Sequence, residues 1–244
     1  MILSRADIEW IASDILKRFD QADKGQFPEI DIDRLAEQYL HLAVHYRQLS
    51  KDRNLLGLTA YDTTEVELHM EDGTEVLQID ADTVLLEKKF LQRYIPLKEK
   101  QKYARQRRFT LAHECAHQIL FRLESNETQT TMRNQYSQRK VYDCYDLKAK
   151  EDWNEWQANT LGAALLMPAS AIERYFERYQ EGTPLFCYGG KYPRREQLAL
   201  SHLAGFFGVS MTALEIRLKA MGYILVLPRH HYYDPTYITA DEFD

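Results

Sequence analysis

Residues 109–121 read FTLAHECAHQILF, and His113, Glu114 and His117 within them decide how the chain is read. Positions i and i+4 of an α-helix lie on one face, so this spacing brings two imidazoles to where both reach one tetrahedral zinc at about 2.0–2.1 Å. Glu114 flanks the site of the reacting water and is the candidate catalytic base. The surrounding helix is expected from about Lys98 to Leu123. Phe109, Ala112, Ala116 and Leu120 form one stripe on it, and Leu111, Cys115, Ile119 and Leu123 the next. So wide an apolar arc belongs to a mostly buried helix, where two histidines and a glutamate are costly to desolvate without partners.

A catalytic zinc usually has three protein ligands and one open position. The pattern HExxHxxGxxH would need glycine at position 120 and histidine at position 123, where this chain has Leu120 and Leu123, so the metzincin arrangement is excluded. A carboxylate from another helix is the other common solution. The segment EDWNEWQANTLGAALLMP, residues 151–168, offers Glu155 with Asn159 one turn later on the same face. Asn159 is placed to hydrogen-bond a ligand histidine. Glu151 and Asp152 are rival ligands on the same helix, whose Trp153, Trp156, Leu161 and Leu165 mark it as well packed.

Towards the N-terminus, Ser4 and Asp7 form a capping-box pattern ahead of Ile8, Ile11, Ala12, Ile15, Leu16 and Phe19, a helix that ends near Gly25. A second helix starts at Asp31 or Asp33 with Leu35, Ala36, Tyr39 and Leu40 on one face. The period then shortens: Leu42, Val44 and Tyr46 alternate, Leu56 to Tyr61 reads as a strand, and Val66 to Met70 and Val76 to Ile79 flank the hairpin signal Asp72-Gly73. A small antiparallel sheet follows.

Towards the C-terminus, residues 124–150 are polar and aperiodic and read as a long loop or insertion, of a length that is often functional. The helix of Glu151 to Met167 is followed by one from Pro168 to Gln180, a connector over 182–193, helices near Arg194–Phe207 and Met211–Ala220, and a strand at Tyr223–Leu227. The run LAGFFGVSMTALEIRL has the cadence of a helix-turn-helix, with Gly208 at the turn and Ser210 as a cap. Its second helix offers Glu215, Arg217 and Lys219 but no amide side chain for base edges, which favours a packing or docking element.

With 244 residues, 45% of them hydrophobic, the chain can build a proper interior. A net charge of -6 argues against a dedicated nucleic-acid binder. Cys115, Cys144 and Cys187 are odd in number and widely spaced, which fits neither a disulfide framework nor a thiolate zinc site and points to a reducing, cytoplasmic setting. No stretch approaches the ~18 apolar residues of a membrane span. The basic cluster Arg105, Arg107 and Arg108, the mixture of Arg133, Arg139, Lys140, Tyr136 and Tyr142, and the pair His230-His231 are read as solvated surface or insertion. Cys115 is read as core, and Cys187 as a loop thiol.

Three pieces in order, RFTLAHECAHQILF, EWQANTLGAALLMP and LAGFFGVSMTALEIRLKAMGYI, resemble the ImmA/IrrE family of metallo-endopeptidases, a likeness extending over roughly residues 28 to 227. The resemblance implies that Glu155 is the third ligand, beside His113 and His117, of one zinc per chain. It also implies that the substrate is a protein, a helix-turn-helix transcriptional repressor in particular. Three departures stand out: Cys115 where a small or aliphatic residue is usual, Leu161-Gly162 in place of Phe-Ala, and a longer stretch over 124–150, which bears on substrate access.

The expected fold is α+β: the small antiparallel sheet, the HExxH helix and further helices. The chain divides into an N-terminal helix at 1–27, a zincin-like core at 28–182 and a helix-turn-helix-like subdomain with a tail at 183–244. The expected chemistry is zinc-assisted hydrolysis with Glu114 as base. His202 and the C-terminal tyrosines are the candidates for stabilising an oxyanion. The rival from another class is a regulatory protein that keeps zinc and binds a partner or DNA without cleaving it.

Overall fold

Ser4 opens the first helix, α1 (Arg5–Arg18), with the reciprocal cap its sequence calls for: Asp7 N–H donates to Ser4 Oγ at 3.2 Å, and Ser4 N–H to Asp7 Oδ2 at 2.8 Å. The computed structural model describes residues 1–19, 29–71, 73–92, 94–138 and 152–232, so the expected end near Gly25 lies outside the described residues. Ile8, Ile11, Ala12 and Leu16 form the buried face of α1. A short helix, α2 (Ile32–Arg34), is capped by Asp31 Oδ1, which accepts from Arg34 N–H at 3.0 Å, and widens into a π-type turn over Leu35–Tyr39.

Five strands follow: β1 (Ala43–Arg47), β2 (Gly57–Ala60), β3 (Thr64–Met70), β4 (Gly73–Ile79) and β5 (Thr83–Glu87). β3 and β4 form the expected hairpin, with Gly73 at φ 133° in a conformation that side chains rarely adopt. The other three form a sheet in the order β1-β5-β2. Here the expectation of a wholly antiparallel sheet is corrected. β2 is antiparallel to β5 but β1 is parallel to it, because β2 and the β3–β4 hairpin intervene in the chain and return it in the same direction. Every residue of the central strand β5 is buried, so it carries no alternation for periodicity to find.

Long helix α3 (Leu97–Leu123) lies on this sheet, with β2 and β5 beneath it. The stretch expected as a loop after it contains a helix, α4 (Asn126–Gln138). Helix α5 (Asp152–Leu166) then crosses α3 and packs on α1. Gly162 allows this crossing: a Cβ there would stand 3.1 Å from the His113 nitrogen and 3.2 Å from the Ala112 carbonyl. Two helices meeting backbone to backbone need a residue without a side chain at the contact.

α6 (Ala169–Gln180), β6 (Leu185–Tyr188), α7 (Arg194–Phe207), α8 (Met211–Ala220) and β7 (Ile224–Leu227) follow. β6, inside the expected connector, pairs in parallel with β7 and buries Cys187, which is therefore a strand thiol. α7 and α8 meet at 103° around Gly208, and Ser210 Oγ caps α8 by accepting from Ala213 N–H at 3.1 Å. The main core runs from Leu3 and Leu16 through Leu35, Leu111, Leu161 and Phe176 to Leu203 and Ile224, so residues far apart in the sequence contribute to one interior. A smaller cluster of Leu49, Val66, Leu68, Ile79 and Leu85 underlies the hairpin. Among the described residues no single helix is long and apolar enough to cross a membrane.

Candidate metal centre

α3 supplies His113 and His117 one turn apart, and α5, held close by Gly162, brings Glu155 over them. The two Nε2 atoms are 3.1 Å apart. Glu155 Oε2 lies 3.3 Å from His113 Nε2, and Glu155 Oε1 lies 3.2 Å from His117 Nε2. Two ligands of a tetrahedral ion at about 2.0–2.1 Å are separated by about 3.3–3.4 Å, so all three spacings match the edges of such a site. Ligand-capable atoms of these three residues lie within 4.8 Å of one another, and theirs is the metal-competent group found among the described residues. The donors fit a metal ion: the two imidazoles are largely buried and the Glu155 side chain is 41% exposed.

The electrostatics agree with this use. Burial alone would push the His113 imidazolium down, but Glu155 and Glu114 more than offset it and its pKa is raised. Hydrogen bonds to His113 and then His117 hold the Glu155 carboxyl far below its usual range, against its desolvation. Asn159 favours protonated His113, yet His113 Nδ1 makes no hydrogen bond of ordinary geometry, so the contact with Asn159 is a loose one.

Glu114 lies beside the two histidines, reaching into the groove between α3 and β2, and is 6% exposed. Burial raises its pKa above the ordinary carboxylate value, with the two histidines opposing. It lies against Gly57: a Cβ there would fall 2.6 Å from Glu114 Oε1 and equally close to Thr110 Cγ2. One turn on, the buried Gln118 amide donates to Thr59 Oγ1 at 2.7 Å and to the Ala60 carbonyl at 2.8 Å, tying α3 to β2.

The sequence-predicted residues His113, His117 and Glu155 thus come together, with Glu114 beside them and Asn159 at the rim. Glu151 lies outside the described residues. His202 is no member of the cluster; it packs edge-on against Phe206 at 4.5 Å. Sequence reasoning missed Gly57, Gln118 and the positioning role of Gly162. A glycine inside a helical run was the available signal for the last.

No curated protein matches the chain. A family model does: that of the IrrE N-terminal-like domain, peptidase family M78, matches residues 72–219, more than half of the chain and a stretch containing all three clustered residues and Glu114. The chain therefore belongs to the IrrE N-terminal-like family of peptidases, the ImmA/IrrE metallopeptidases that its motifs resemble.

Proposed function

We propose that this protein is a zinc-dependent endopeptidase that cuts a peptide bond in a protein substrate, with one zinc held by His113, His117 and Glu155. The observation carrying the proposal is a tetrahedral donor triad with a buried carboxylate, Glu114, next to one of its members and outside it. A zinc site kept only for stability has no use for that carboxylate. When bound, zinc supplies Lewis-acid polarisation and acidifies water. Glu114 takes the proton of the attacking water and passes it to the leaving amine nitrogen, and its raised pKa moves it towards the range in which one group does both.

Strand β2 supports an extended peptide as substrate. It pairs only with β5 among the described residues. Leu56 O accepts from Glu87 N–H on that side, so alternation turns the backbone groups of Gly57 and Thr59 to the open edge. A substrate strand added there passes beside Glu114.

The helix-turn-helix repressor is carried over from the ImmA/IrrE resemblance as the preferred substrate, and a reducing cytoplasm as the setting. The α7–α8 pair serves as a packing or docking element and not as a DNA reader. Arg217, its central cation, is 3% exposed, clamped by Glu9 and bonded to the Met167 carbonyl at 3.1 Å, while Glu215 accepts from Tyr192.

The test uses purified protein loaded with one equivalent of zinc and purified helix-turn-helix repressors. Fragments that disappear with a chelator and with Glu155→Ala are expected. A repressor bound stably and left intact would make the protein a zinc-containing regulatory binder instead.

A further inference from the structure

A cavity of about 260 Å³ opens beside His117, walled by Tyr61, Leu120 and Phe121 on one side and by Met132 of α4 on the other, with Glu124 among its polar lining. Three features make this corner favourable to a cation. Glu124, whose side chain is 15% exposed, is the cap residue of α3, where the helix's partial negative charge is greatest. One cation of the chain already sits on Glu124, the Met1 nitrogen on Oε1 at 2.5 Å, and the Phe121 ring that walls the cavity also carries the Arg133 guanidinium over its face at 5.4 Å. Among the polar Thr128, Thr131, Asn154 and Gln157, the wall also presents Tyr61, Leu120, Phe121 and Met132, an apolar strip suited to the methylene stem of a long side chain.

From this we infer that the cavity is a specificity subsite taking a lysine or arginine side chain of the substrate, with the stem against Leu120, Phe121 and Met132 and the charged end on Glu124. The inference rests on the endopeptidase reading for its location but not for its test. A carboxylate offers about four acceptor positions, so a substrate cation can join the Met1 nitrogen at Glu124 without displacing it.

Binding tests it on zinc-loaded Glu114→Gln protein, with or without Glu124→Gln, so that the readout does not require turnover. The probes are extended decapeptides of alanine and leucine in which a single lysine is walked along the chain, each matched by a peptide with norleucine in its place. One position is expected to bind about tenfold more tightly with lysine than with norleucine. Glu124→Gln should erase that advantage, and Glu124→Lys should transfer it to glutamate-bearing peptides. Lysine giving no advantage at any position, or an advantage surviving Glu124→Gln in protein of unchanged melting temperature, overturns the subsite. Failure of wild-type protein to cut any peptide would instead count against the peptidase reading and leave these binding results to decide the subsite.

Discussion

The two flanks of α3 are packed on different terms. On the α5 flank the contact is backbone to backbone, through Gly162 against Ala112 and His113, and it brings a carboxylate onto two imidazoles. On the β2 flank the contact is between side chain and strand: Glu114 nests against Gly57, and Gln118 reaches Thr59 and Ala60. On the proposed reading, the α5 flank completes the metal ligands, while the β2 flank seats the proposed base, Glu114, beside them and against the strand where a substrate would lie. The separation means that damage to one flank should show in metal affinity and damage to the other in turnover.

The largest effect is expected on the α5 flank. Glu155→Ala should weaken zinc binding by more than about 100-fold, since removing a ligand costs more than removing a partner of a ligand; competition against a chromogenic chelator measures it. Gly57→Ala should retain zinc yet lower kcat by about 100-fold, because the new methyl must displace the Glu114 carboxylate. Equal loss of metal and turnover in that variant would break the division by face.

Acid should act on the metal flank as well. A bound metal requires unprotonated imidazoles, and the raised pKa of His113 means that its proton is held to higher pH than an ordinary histidine would hold it. Zinc affinity should therefore fall as pH decreases, beginning above pH ~6.5, by up to about tenfold per unit for each proton that must be displaced. Affinity independent of pH between about 5 and 8 would mean that the imidazoles do not bind the ion.

Smaller effects sharpen the comparison. Gly162→Val should overpack the helix crossing by about 1–3 kcal/mol and weaken zinc binding roughly tenfold while Glu114 stays in place. Gln118→Leu should lower the melting temperature, by removing two hydrogen bonds worth about 1 kcal/mol each, and raise KM several-fold at unchanged zinc content. A change in zinc content there would show the flanks to be coupled.

What the sequence made legible follows the same split. His113, His117 and Glu114 were readable because helical spacing alone sets their geometry, whereas Glu155 needed the family likeness: several carboxylates share its helix and only the α3–α5 crossing selects one. The helices α1, α3 and α5 to α8 were visible as apolar periodicity or caps. β5 was hidden because it is covered on both faces, and β6 because a four-residue strand beside Gly189-Gly190 reads as loop. α4 is mostly polar, and Met132 and Tyr136 alone make too thin an apolar stripe to betray it. Gly57 and Gln118 act through a partner distant in sequence, which periodicity does not reveal.

The most direct test of the division of labour is zinc stoichiometry and peptide hydrolysis measured on the same preparations of wild type and Glu114→Gln. One zinc per chain is expected in both, with hydrolysis falling by about 1000-fold in the variant. Loss of zinc from Glu114→Gln, or undiminished hydrolysis by it, would contradict the assignment of Glu114 as the base and of His113, His117 and Glu155 as the metal ligands.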